Sequence, residues 1–296
     1  MPSSNLLPNG GLVAESFTTW LRLHRCEVDA VVFDVDGVLT RGGRPAPGSR
    51  ELIAWLRQEQ VPFALLTNDG GNSPEQKIEL LRKSELDFAL EEIVSASHGL
   101  IELVRERNLA GQLFYLMGTV GTPCYAQRAG LRVTTDPGAI GECAGIIVGE
   151  ERYDWERVIT VALNFLLRNP QAPIIVPNPD DVFPVGQGGL EIAAGAVSRF
   201  IQLLCRTRGI EIAPVYLGKP YAPIFRYSHM RFESRVQRTI PRPRVIMVGD
   251  SLTGDVAGGR DFGYRTALVL TGITTPEILA RSEIRPELVF RAVGDE

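Results

Sequence analysis

Apolar residues in this chain fall into short unbroken runs, set between segments with helical spacing. Residues 29–33 form the first clear run. It is rich in Val and shows no polar alternation, the pattern of a strand covered on both faces. A loop with Gly42, Gly43, Pro45 and Pro47 follows. Over 49–60, the spacing of Leu52, Ile53 and Leu56 predicts an amphipathic helix. Residues 61–66 read as a second buried strand. Ser73, Pro74 and Gln76 then have the pattern of a helix start with reciprocal capping, and that helix should reach about Ser84. The rhythm returns near the C-terminus as a strand over 244–248, a helix over 252–262 and a strand over 265–270. This alternation predicts an α/β fold with a doubly wound parallel sheet.

The middle of the chain has an α/β rhythm of its own. Strands are expected over 112–117, 146–148 and 173–176, and helices over 154–168 and 190–207. The reading is therefore a core domain made of residues 1–92 and 215–296, with an α/β domain inserted over 93–214. Residues 14–25 are expected to form a short amphipathic helix packed on the first domain.

A length of 296 residues leaves room for two such domains. Net charge of -4 gives no reason to expect nucleic acid or an anionic membrane as partner. No apolar run approaches the roughly 20 residues that span a bilayer. Residues 1–11 lack the basic region and apolar stretch of a secretory signal. Cys26, Cys124, Cys143 and Cys205 form no Cys-x-x-Cys pair. They are expected to be reduced thiols of a cytoplasmic protein. His24, His98 and His229 are far apart, which argues against a His-rich metal site or a His-centred triad.

Four places carry chemistry. Asp34-Val35-Asp36-Gly37 directly follows the first strand, where a doubly wound sheet binds ligands. Asp34 there can attack phosphorus as a nucleophile. Asp36 can protonate the leaving oxygen and then activate water. Gly37 lets backbone N–H groups approach a phosphate. The same four residues also open calcium loops, but Thr40 and Gly42 stand where further oxygen ligands would be needed. Thr67-Asn68 follows the second strand, and its hydroxyl and backbone N–H can hold a phosphoryl oxygen. Lys219, in Gly218-Lys219-Pro220, can neutralise charge on the nucleophile and phosphate. Asp250 ends another buried strand and can ligate Mg2+ beside Asp34, with Asp255 supporting the metal shell. A phosphate site that uses Mg2+ is the joint expectation.

These four motifs, in this order, resemble the haloacid dehalogenase superfamily. More narrowly, the chain is similar to its subfamily IIA, the NagD-like and 4-nitrophenylphosphatase-like members with a large α/β cap. Ile147-Val148-Gly149 before Tyr153 and Trp155, the run Asn178-Pro179-Asp180, and residues 268–275 agree with that pattern. Residues 41–45 and 186–189 resemble the branch typified by the human cat-eye-syndrome-region hydrolase. The resemblance implies a hydrolase of small phosphorylated metabolites, with Asp34 as nucleophile and Asp36 as acid and base. Asp34, the Asp36 carbonyl, Asp250 and Asp255 would form the metal site, and Thr67, Asn68 and Lys219 would hold phosphate. Asn178 and Asp180 would lie on a specificity loop of the cap, and a homodimer would form through that cap. Two positions depart from the pattern. Asp69 brings a carboxylate beside Thr67-Asn68, where it would repel a phosphate unless it points away or pairs. Gly254 stands where Thr is usual.

The second carboxylate, Asp36, argues against a dehalogenase of the same fold. A phosphomutase or phosphotransferase shares the chemistry and stays open, as does a non-catalytic binding or scaffold protein on an inherited fold.

Overall fold

In the computed structural model, residues 13–150, 154–185 and 189–295 are described. Expectations placed on residues 1–11, on Tyr153 and on Gly186, Gln187 and Gly188 lie outside them. The chain divides into two compact units. The first contains residues up to Thr67, Ile78–Val94 and the chain from Phe225 onward; the second contains Asn68–Lys77 and Ser95–Ile224.

The Val-rich run of the first unit forms the strand Ala30–Phe33, every residue of which is buried. It lies inside a seven-stranded sheet. The strand order is Ala14–Ser16, Leu288–Ala292, Arg265–Val269, Val245–Gly249, Ala30–Phe33, Phe63–Thr67 and Ile93–Ser95. Ala30–Phe33 pairs in parallel with Val245–Gly249 on one side and Phe63–Thr67 on the other. One face of the sheet joins a core built from Val31, Phe33, Leu65, Val248 and Val269, with Leu52, Ile53 and Leu56 of the helix Ser49–Gln58. Burying that apolar stripe is what holds the amphipathic helix to the sheet.

The N-terminal segment differs from the single helix expected over 14–25. Ala14–Ser16 adds an edge strand to the sheet, with Ala14 opposite Phe290. Only then does the helix Phe17–Leu23 begin, capped by Ser16 Oγ, which accepts from Thr19 N at 3.1 Å. Phe17 is fully buried and meets the Phe33 and Phe290 rings edge-on. The helix thus packs into the first unit.

The helix expected over 252–262 opens with a wide π turn, Leu252–Ala257, before the α-helix Gly258–Phe262. Asp255 N and Val256 N both donate to Ser251 O at 3.1 Å. The widening accompanies the reach of the Asp255 carboxylate back to the Asp250 and Ser251 N–H groups.

The second unit holds a parallel five-stranded sheet. Its order is Val215–Tyr216, Ile174–Val176, Gly145–Val148, Leu113–Met117 and Arg132–Thr134. Tyr115, Ile146 and Val148 face one apolar cluster with the helices Trp155–Arg168 and Ala194–Arg206. Phe114, Leu116 and Ile147 face another, with the helix Gly99–Glu106. One expectation is corrected here. The helix predicted over 190–207 starts only at Ala194, and Gly189–Ile192 pairs antiparallel with Val182–Val185. Leu190 extends the helical spacing of Ala194, Val197 and Ile201, but it is 66% exposed, and Ile192 is 57% exposed. Among the described residues neither joins a buried cluster, and Ala193 is extended.

Candidate active site

Asp34 and Asp250 each follow a buried strand directly, and those two strands are neighbours. The chain leaves Ala30–Phe33 for Phe63–Thr67 on one side and returns as Val245–Gly249 on the other. A crevice at the carboxyl ends of the strands is the consequence of that reversal. Asp34 N donates to Val248 O at 2.9 Å, which ties the start of the loop to the neighbouring strand. Carboxylate oxygens of Asp34, Asp250 and Asp255 all lie within 4.8 Å of one another. Asp250 and Asp255 are buried, and Asp34 is half-buried.

Backbone N–H groups hold this cluster. Asp255 Oδ2 accepts from Asp250 N at 3.1 Å and from Ser251 N at 3.0 Å. Asp250 Oδ2 accepts from Ile273 N at 2.8 Å. Gly37 has φ +88°, and a Cβ there would overlap the Asp250 carboxylate. Thr271 Oγ1 donates to Gly37 O at 2.5 Å, fixing the turn. Asp36 is exposed, and its Oδ1 accepts from Thr40 Oγ1 at 2.9 Å. Thr67 ends the strand Phe63–Thr67 and is buried. Three hard carboxylate ligands brought so close in a glycine-walled pocket fit a divalent oxygen-seeking cation such as Mg2+. Among the described residues the three histidines take other roles. His24 stacks on Trp20, His98 Nδ1 accepts from Ser95 N, and His229 Nδ1 meets the Tyr264 hydroxyl.

The second unit brings Asn68, Asn178, Asp180 and Lys219 together. Lys219 N donates to Asn68 Oδ1 at 2.7 Å, and Asn68 Nδ2 donates to Lys219 O at 2.9 Å and to Asp180 Oδ1 at 3.0 Å. The bare Cα of Gly218 permits this grip, since a Cβ there would press on Asn68 Oδ1 and Pro177 O. Asn178 is buried. Its Oδ1 accepts from Asp180 N at 2.9 Å, and its Nδ2 donates to Glu150 Oε1 at 2.7 Å. Burial pushes the Glu150 carboxyl up to about 7, against the pull of the Asn178 amide and Ala194 N–H; the Asp69 and Asp180 charges raise it further. Asp69 is engaged locally. It accepts from Asn72 N at 3.0 Å and pairs with Lys77 at 3.2 Å.

Glu150 is a buried carboxylate outside the four motifs. It follows the buried strand Gly145–Val148 much as Asp34 follows its own, and that position is the signal that finds it. Thr40 and the Ile273 N–H also join the site; both lie in stretches the sequence marks, but their bonds to Asp36 and Asp250 are not legible there.

Residues 31–132 match the family model of haloacid dehalogenase-like hydrolases, and residues 216–295 match a second, HAD-hydrolase-like model. An acid sugar phosphatase of Staphylococcus aureus is 26% identical over 267 residues, covering 90% of this chain and 95% of that protein. A p-nitrophenyl phosphatase structure from Archaeoglobus fulgidus is 27% identical with a TM-score of 0.74, covering 90% of this chain and 97% of that one. A possible sugar phosphatase from Cytophaga hutchinsonii is 26% identical with a TM-score of 0.80, covering 97% of this chain and 100% of that one. The chain belongs to the haloacid dehalogenase-like hydrolases. Its neighbours indicate subfamily IIA within them.

Proposed function

We propose that this protein is a Mg2+-dependent phosphomonoester hydrolase, acting on a small phosphorylated metabolite through an aspartyl-phosphate on Asp34. The observation that carries the reading is the Asp34, Asp250 and Asp255 cluster, within 4.8 Å, at the carboxyl ends of adjacent parallel strands. The phosphatase names of its relatives support the substrate class. In this reading an Asp34 oxygen forms a bond to phosphorus while the ester P–O bond breaks. Asp36 gives its proton to the departing oxygen. Asp36 then takes a proton from water, whose oxygen attacks phosphorus, and the bond to Asp34 breaks to release phosphate. Thr67, Asn68 and Lys219 would hold the phosphoryl oxygens. Mg2+, held by Asp34, the Asp36 carbonyl, Asp250 and Asp255, would neutralise phosphate charge when bound.

Substrate choice is assigned to the domain inserted over residues 93–214, with Asn178 and Asp180 on its candidate loop. Two further parts belong to the reading. A homodimer through the inserted domain would double the 32.5 kDa chain mass in light scattering. A cytoplasmic location is favoured by four free thiols.

The test is phosphate release from 4-nitrophenyl phosphate and a panel of small phosphomonoesters, with and without Mg2+, for wild type and Asp34→Asn. Mg2+-dependent release by wild type, lost in the variant, is expected. Isomerised product without free phosphate would make the protein a mutase instead. No turnover of any ester by folded protein would remove the phosphatase reading.

A further inference from the structure

Lys219 has a buried, long and flexible side chain, so where its peptide is fixed decides where its ammonium can go. The hydrogen bonds around that peptide run on as a chain. Asn68 grips the Lys219 N–H and C=O with one amide, and its second Nδ2 proton goes to Asp180 Oδ1. Both Nδ2 protons of Asn68 are thereby engaged by the protein. The Asp180 backbone leads to Asn178, and Asn178 leads to Glu150 Oε1, which also accepts from Ala194 N at 3.3 Å. Glu150 is itself pinned, since its backbone exchanges two hydrogen bonds with Thr119. The run starts on a strand end, crosses a helix N-terminus and a loop, and ends on the lysine.

We infer that Asn68, Asp180, Asn178 and Glu150 are positioning residues, which fix the Lys219 peptide and through it the place of the ammonium. The inference rests on the phosphatase reading and deepens it: the side chain of Asn68 serves the lysine, and the phosphate is left to the Thr67 hydroxyl, backbone N–H groups and the ammonium. A satisfied buried polar chain of this kind is rigid, and loss of one link frees the next. Each link lies in the second unit.

The test uses the full chain with Mg2+ and 4-nitrophenyl phosphate, and orthophosphate as competitive inhibitor. Orthophosphate carries no leaving group, so its affinity separates an effect on the phosphate pocket from one on leaving-group recognition. Asp180 sits on a half-buried loop, and its replacement leaves both apolar cores intact. Asp180→Ala is expected to lower kcat/KM and orthophosphate affinity about tenfold, and Asp180→Asn, which keeps an acceptor oxygen, less than about threefold. In a Lys219→Ala background the same Asp180→Ala change should cost less than about twofold, because it acts through the missing side chain. At the buried end, Glu150→Gln keeps an acceptor for Asn178 and should retain activity, whereas Glu150→Leu should lose it. Independent, multiplying losses in the double variant, or unchanged orthophosphate affinity in Asp180→Ala, would overturn the inference. Wild-type protein inert toward every phosphomonoester would overturn it together with the phosphatase reading, and that failure shows before any variant is made.

Discussion

A side chain at position 37 has no room. Gly37 combines a left-handed φ with a Cβ position that overlaps the Asp250 carboxylate. Gly37→Ala is therefore expected to displace Asp250 and to raise the Mg2+ concentration for half-maximal activity about tenfold or more, as outer-shell damage does at other metal sites. A Mg2+ titration of phosphate release checks this; an unchanged midpoint would show that Asp250 does not depend on the glycine. Glu150 gives a second prediction, with a definite sign. Its carboxyl rises from the usual 4.5 to about 7 on folding, so the folded state binds more protons in that window. Stability contributed by the protonated group is fully present below about pH 4.5 and is lost as pH rises through 7, by roughly 3 kcal/mol at most. Glu150→Gln should flatten that part of the stability profile in urea melts between pH 5 and 8; an equal slope in both proteins would assign it elsewhere. The motif carboxylates were legible in sequence because the motifs that carry them follow apolar strands. Glu150 follows one too, but its partners Asn178 and Ala194 are 28 and 44 residues away, and no local pattern joins them.

Elements whose signals are local came through the sequence well. Ser73 and Gln76 form the reciprocal pair their spacing predicted, with Ser73 N donating to Gln76 Oε1 at 2.9 Å and Gln76 N to Ser73 Oγ at 3.2 Å. Ser73 Oγ also donates to Thr122 O at 2.7 Å, so Ser73→Ala should cost about 1–2 kcal/mol, at the upper end for a cap. Elements decided by packing did not come through. Spacing alone extends the helix Ala194–Arg206 back to Leu190, yet those residues pair as a strand. Stability separates the two arrangements. Leu190→Ser should change unfolding free energy by less than about 0.5 kcal/mol, whereas Ile201→Ala, in the core, should cost about 2–4 kcal/mol. Equal costs for the two would mean that Leu190 is packed as a helix face. The π turn over Leu252–Ala257 was equally hidden, because it answers to where the Asp255 carboxylate bonds and not to apolar spacing.

At the scale of the molecule, alternation of strand and helix was enough to give a doubly wound sheet and a second α/β region, since both follow from short apolar runs. The added edge strand Ala14–Ser16 was not legible, because its partner strand Leu288–Ala292 lies at the far end of the chain. Each unit has its own buried clusters. Cores of this size make two unfolding transitions the expectation, in place of one. The tryptophans can report them separately, as Trp20 and Trp55 lie in the first unit and Trp155 in the second. Phe17 supplies the perturbation. It is fully buried between Phe33 and Phe290, so Phe17→Ala should cost about 3–5 kcal/mol in the first unit. In urea, a Trp155→Phe protein should then show its fluorescence transition shifted to lower denaturant by Phe17→Ala. A Trp20→Phe, Trp55→Phe protein, reporting through Trp155, should keep its midpoint. If both reporters shift together, the two cores unfold as one cooperative body, and damage anywhere in the first unit must also be read as damage to the network that holds Lys219.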